Sequence, residues 1–250
     1  MPVSQLSIFK SLLRSDFTVQ WRNKRSPAMA SMLALVMLIS LKQTAHQSAG
    51  PHWYITLLGV SLSIVLTGMG VLGYPTIVAR DRDRGVFRRL RTTPANGWTI
   101  MLSRLCVQLV VMGGLACIVL AAGALFNQMA LTPMQYISTV LASVLCGTVY
   151  LAIGQTLVGL IASSDTLNAV GRVIYFSIAL AGSIIALGAL GKTAASIAEW
   201  SPYGTVQSVL QAAMQGAWNS HAWSALGLTL AYTLFFVALG IKWFRWDAKH

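Results

Sequence analysis

Apolar residues in this chain fall in long runs broken by short polar or charged stretches. A membrane-crossing helix needs roughly 20 consecutive apolar residues. Runs at 53–79, 105–126, 134–162, 173–190 and 223–241 approach or exceed that length, and 27–42 is a shorter one. Tilt, or outward snorkelling of Lys42, can cover the shortfall of the first run. The 60 residues 105–164 carry no charge, too many for one crossing and enough for two. The turn NQMALTP at 127–133 divides them. In the second run Gly59, Gly68, Gly70 and Gly73 permit close backbone approach. That run belongs in the bundle interior or at a subunit interface. Pro75 is expected to kink it.

Two segments show helical spacing without span length. In 4–22, Leu6, Phe9, Leu13 and Phe17 share one face while Lys10 and Arg14 lie on another. This is the pattern of a helix lying flat in the membrane interface. After the break at Glu199-Trp200-Ser201-Pro202-Tyr203, apolar positions Val206, Val209, Leu210 and Ala213 predict a short outer helix over 205–215. Periodicity leaves open whether that helix dips into the membrane or rests on a surface.

The fold class expected is therefore an all-α integral membrane protein forming one transmembrane domain over 1–250. It has six transmembrane helices, an N-terminal interfacial helix and a short outer helix before the last span. Composition agrees: 56% of the 250 residues are hydrophobic and 10% charged, against about 25% charged in soluble domains. The net charge of +12 sits in segments flanking the spans, which is the positive-inside pattern rather than a nucleic-acid patch. With both termini inside, 16 of the 18 Lys and Arg fall on one side, leaving Lys42 and Lys192 outside. Lys242, Trp243, Arg245, Trp246 and Lys249 form an aromatic and basic anchor at the cytoplasmic end of the last span. No cleavable signal segment is read at the N-terminus, and Cys106, Cys117 and Cys146 are read as buried apolar side chains.

Chemistry narrows the function. The six acids, Asp16, Asp81, Asp83, Asp165, Glu199 and Asp247, lie at span ends or in loops. Ion-coupled carriers normally place carboxylates or histidines inside the membrane. Four scattered histidines offer no metal-ligand spacing. Gly191-Lys192-Thr193 resembles the end of a phosphate-binding loop, but Ala186 stands where that pattern needs glycine. The densest charge is at 79–104, with seven Lys and Arg and two acids. Such a segment belongs in the cytoplasm and is where energy is expected to enter. The residues leave two other classes open, a membrane-embedded lipid-modifying enzyme and a non-transporting membrane scaffold.

The run Ala79-Arg80-Asp81-Arg82-Asp83-Arg84-Gly85, then Leu90, Thr93-Pro94 and Arg104, resembles the cytoplasmic loop of ABC-2 type permeases. These are the membrane subunits of type-2 ATP-binding-cassette exporters. Trp200-Ser201-Pro202-Tyr203 and the following helix resemble that family's segment before its last span. The resemblance implies a permease without its own ATPase site, in a prokaryotic cell membrane. Two copies, identical or sibling, would pair with two separate ATPase subunits that hold ATP and Mg. The chain itself needs no cofactor or metal. It also implies a coupling helix at about 85–93 within the loop 80–104. Val86, Phe87 and Leu90 would be apolar anchors, with Gly85 opening the helix and Pro94 closing it. Arg80, Arg82, Arg84, Arg88, Arg89 and Arg91 would face the ATPase or lipid phosphates. Asp165, Asn168 and Arg172, in the second inner loop 165–172, would make a smaller contact. The implied cargo is amphipathic, drug-like or lipid-like. Its path would run between two permease copies, lined by the second and fifth spans.

Overall fold

A computed structural model of the chain describes residues 5–22, 51–86, 97–127, 131–186 and 196–243. Every element among them is helical. Helix α1 is Gln5–Arg22. Helix α2, Pro51–Thr67, runs through a π-helical turn, Gly68–Gly73, into α3, Tyr74–Asp83. Helices α4 (Gly97–Asn127), α5 (Pro133–Leu160), α6 (Ser164–Ala186), α7 (Pro202–Gln215) and α8 (Ser220–Trp243) follow. Five stretches are long and apolar enough to cross a membrane: Trp53–Asp83, Thr99–Leu125, Pro133–Leu160, Ser164–Ile184 and Ser220–Trp243. The first expected span, at 27–42, lies outside the described residues, as do Phe87, Arg88, Arg89, Leu90, Arg91 and Pro94.

Local sequence sets several helix ends. Thr132 caps α5: its hydroxyl accepts from the Gln135 N–H, and the Gln135 side chain accepts from the Thr132 N–H, with Pro133 at the first turn. Ser201 opens α7 by accepting from the Gly204 N–H, with Pro202 at the first turn, and Gly216 closes it at φ 66°.

The break expected at Pro75 takes the form of the π turn just before it. Tyr74 N–H donates to Met69 O, five residues back rather than four. Proline cannot donate, so the ladder must be disturbed here in any case. Three glycines allow the wider turn, and the neighbouring helix fills in. A Cβ on Gly154 of α5 would lie 2.1 Å from Gly70 O and 2.9 Å from Pro75 Cγ. The Cα–H of Gly154 therefore points at the Gly70 carbonyl, a weak hydrogen bond from across the interface. Gly70 returns the fit, since its own Cβ would meet the Tyr150 backbone at 2.6 Å.

Helix α5 is the hub. It packs against α2, the π turn, α3, α4, α6, α7 and α8. The glycine-rich span Trp53–Asp83 lies in the bundle interior, 83% buried along its most apolar stretch against 17% for α8. In a membrane the outer faces of α8 and α4 meet lipid, which accounts for their exposed Leu234, Phe235, Val110 and Ile118. Helix α7 is no surface helix. Val206, Val209, Leu210, Ala213 and Met214 are fully enclosed against α2, α5 and α8.

Three stretches differ from the sequence reading. Helix α3 continues to Asp83 and α4 begins at Gly97, so much of the expected loop 80–104 is helix. Helix α6 begins at Ser164, so residues 165–172, expected as an inner loop, form its first two turns. The Ser163 hydroxyl accepts from the Thr166 N–H, and Asp165 sits in the first turn, where a negative charge suits the helix dipole. Charge marked these segments as watery but did not make them loops. A helix of 31 residues such as α4 rises about 46 Å, well beyond a hydrocarbon core of about 30 Å.

Candidate functional site

The charged ends of α1, α3, α4 and α6 meet the uncharged end of α5 at one end of the bundle. Helix α3 packs on α5 and α6 and is paired to α4. Tyr74, Val78 and Arg82 repeat every four residues and are all buried on one face. Tyr74 Oη donates to Gln155 Oε1 on α5 at 2.5 Å. Thr76 Oγ1 donates to Asn168 Oδ1 on α6 at 2.6 Å. Asp81 pairs with Arg104 of α4 at 2.7 Å, both largely shielded.

Arg82 makes the densest contact. Its guanidinium donates to Val158 O at 3.2 Å, Ile161 O at 2.8 Å and Ala162 O at 2.6 Å. The last carbonyls of a helix have no partner within it, and the helix dipole places partial negative charge there. Arg82 thus closes the end of α5 and the turn leading into α6. The guanidinium fork reaches several carbonyls at once, which a lysine ammonium cannot do with the same geometry.

The other expected site residues divide between exposed and inward positions. Arg80 and Arg84 are exposed beside Arg82. Gly85 sits at φ 67° with no atom near its missing Cβ, and its N–H donates to Arg82 O. A left-handed residue after the last turn is the usual glycine stop of a helix. Val86 is half-buried. Of the expected second contact, Asn168 is taken up by Thr76, while Asp165 and Arg172 are exposed on α6. Arg82 and Asn168 therefore face neighbouring helices, and the exposed Arg80, Arg84, Asp165 and Arg172 are free to face outward.

The sequence reading missed Tyr74, Thr76, Gln155, Asp16 and Ser103 as parts of this end. The signal was there for Tyr74 and Arg82, which share a helical face once α3 is extended past residue 79. Asp16 of α1 accepts from Ser103 Oγ of α4, which fastens the amphipathic helix to the bundle. Burial pushes the Asp16 carboxyl above the ordinary carboxylate range; Ser103 and Arg104 pull it down, and Asp81 adds to the rise. A carboxyl raised in the folded state stabilises that state when protonated. Its contribution is present below the unfolded value and lost as pH rises through the folded one. Asp16→Asn is therefore expected to raise the thermal midpoint at pH 7, with the gain over the parent shrinking toward pH 4. An equal gain at both values would remove Asp16 titration as the cause.

At the opposite end, α6, α7 and residues 196–201 just before α7 line an open pocket of about 730 Å³. Ser177, Ile178 and Ala181 of α6 form one wall, with Gln207 and Gln211 of α7 opposite. Tyr203 lies flat on Gly182, where a Cβ would meet its ring at 2.6 Å. Glu199, also lining the pocket, pairs with His221 of α8 at 3.1 Å. Gln207 is held from behind: it donates to Thr56 O at 3.3 Å and accepts from Ser63 Oγ at 3.0 Å.

A Bacillus subtilis (strain 168) protein named "Putative transport permease YvfS" is 24% identical over 178 residues, 69% of each chain. The ABC-2 type transporter family matches residues 7–215. That match takes in α1, the arginine-bearing end, the hub helix and all of α7, so this multi-pass membrane protein belongs to the ABC-2 type transporter family.

Proposed function

We propose that this chain is the permease subunit of an ATP-binding-cassette exporter. It moves an amphipathic, drug-like or lipid-like molecule out of the cytoplasm or inner leaflet. Energy comes from ATP and Mg held on separate ATPase subunits, two per complex, with a second permease copy or sibling completing the path. Both termini and the arginine-bearing end face the cytoplasm of a prokaryotic cell. The family supports an ATP-binding partner.

The observation that carries the reading is the bonding of α3. The segment that leads into the charged stretch is tied by side chains to α4, α5 and α6. A push applied just beyond Gly85 would reach three spans at once. The pocket at the other end, with apolar walls and scattered hydroxyl and amide groups, suits an amphipathic cargo better than an inorganic ion. It opens against the fifth span. The second span stands behind it, enclosed by its neighbours, so α6 supplies the wall toward the path and α2 the support.

Co-purification of the chain with an ATPase subunit, and substrate-stimulated ATP hydrolysis in proteoliposomes, test the reading. Phe87→Asp with Leu90→Asp is expected to abolish association and reduce stimulated hydrolysis at least tenfold. Association and hydrolysis both at the parent level would overturn the coupling assignment.

A further inference from the structure

The face between α1 and α4 holds a second crevice, of about 600 Å³, separate from the pocket at α6 and α7. Leu13 and Phe17 form its α1 wall and Val107 and Val110 its α4 wall, with Cys106 beside them. Arg14 stands at its edge, and no acid lines it. Lys10 lies one turn before Arg14 on the same face of α1, and both are exposed. Neither forms an ion pair with a described residue. Asp16, the acid nearest in sequence, is occupied by Ser103 and packs the other way. Val110 and Phe17 remain exposed, at 63% and 44%.

We infer that this crevice binds one anionic phospholipid. An acyl chain lies along Val107, Val110 and Phe17, and Lys10 and Arg14 hold the headgroup phosphate. The reason is the match of three features in one place. The walls are apolar. The rim is basic and, among the described residues, uncompensated, which attracts anionic headgroups. One wall is an amphipathic helix and the other a spanning helix, so the opening lies where headgroup and acyl regions meet. The size falls within the range of about 300–1,000 Å³ usual for ligand sites. The inference rests on α1 lying at the membrane surface and not on the exporter reading.

Native mass spectrometry of the full-length chain in mild detergent tests it, with no ATPase present, so failure here leaves the exporter reading to its own experiment. Titration with phosphatidylglycerol is expected to give one retained lipid per chain, bound at least tenfold tighter than phosphatidylcholine. Lys10→Glu with Arg14→Glu should lose at least tenfold in affinity. Val110→Trp, which fills the crevice from an exposed position, should lose it too. Arg172→Glu, a charge reversal elsewhere, should leave binding unchanged. Equal binding of the two lipids, or retention in the Lys10/Arg14 variant, overturns the site. Retention in Val110→Trp overturns the crevice as its location, as it would if the chain's own residues 23–50 filled it. An equal loss in Arg172→Glu reduces the effect to general surface charge and also overturns it. Displacement of the lipid by millimolar inorganic phosphate would assign the rim to a free anion instead.

Discussion

Gly154→Ala is expected to destabilise the protein by about 3 kcal/mol, the upper end of ordinary overpacking. The added methyl would sit 2.1 Å from Gly70 O and 2.9 Å from Pro75 Cγ. Neither atom belongs to a flexible side chain that could swing aside. Gly70 O is main chain, and Pro75 is fixed by its ring. Relief requires α5 to move away from the π turn, which breaks the crossing at the centre of the bundle and the Tyr74–Gln155 bond beside it. Gly114→Ala on α4 is the matched control, because nothing lies within 4 Å of its missing Cβ. Alanine at an open helical glycine should be neutral or stabilising by up to about 1 kcal/mol. Thermal unfolding of the two purified variants in detergent reads the difference. A Gly154→Ala midpoint equal to the parent's would mean that α2 and α5 do not cross in this way.

Arg82→Ala is the second large effect. Removing the guanidinium strips the end of α5 and the turn into α6 of the donors to three carbonyls. A hydrogen bond to a charged group is worth about 1.5–3 kcal/mol, and leaving a buried acceptor unpaired adds its desolvation cost. A loss of about 3 kcal/mol is expected. Arg82→Lys should recover only part of it, since one ammonium cannot take the place of the fork. Arg80→Ala, two residues earlier and exposed, should change stability by less than about 0.5 kcal/mol. The functional readout separates the two arginines further. With the ATPase present, Arg82→Ala should retain subunit association while transport falls more than hydrolysis, because its effect lies between helices inside the chain. Equal thermal midpoints for Arg82→Ala and Arg80→Ala would remove Arg82 from this role.

The contrast between these neighbouring arginines marks how far the sequence could be read. Charge and hydropathy placed the centres of five spans, the amphipathic face of α1 and the apolar stripe of α7. They carried no information on partners. Arg82 looked like its neighbours because a run of alternating Arg and Asp reads as uniformly solvated. It became distinct only when the helix was seen to continue, which puts Arg82 in line with Tyr74 and Val78. Asp81 and Arg104 were taken as two charges in one loop. They are a pair across two helices, and pairing lets both helices run on past the apolar region. Ser163-Ser164-Asp165 is a good helix opening for α6, but in sequence it reads equally as the polar end of the preceding span. The stripe of α7 was legible, but a stripe says only that some apolar surface covers it. That α2, α5 and α8 all do so needed the fold.

The π turn at Gly68–Gly73 has a consequence for how this span tolerates change in length. A π turn holds the equivalent of one inserted residue within an α-helix. It therefore sets the dial between the two halves of the span. Deleting one residue there would let the turn close into regular α-helix with the facing kept, whereas regular α-helix with every residue retained would rotate everything after it by about 100° relative to α2. Tyr74, Val78 and Arg82 would then turn off α5, and Ile77 and Asp81 would swing inward. The glycines at 68, 70 and 73 thus hold an angle as well as a close contact, and the inward aim of Arg82 depends on a wide turn three helical turns away.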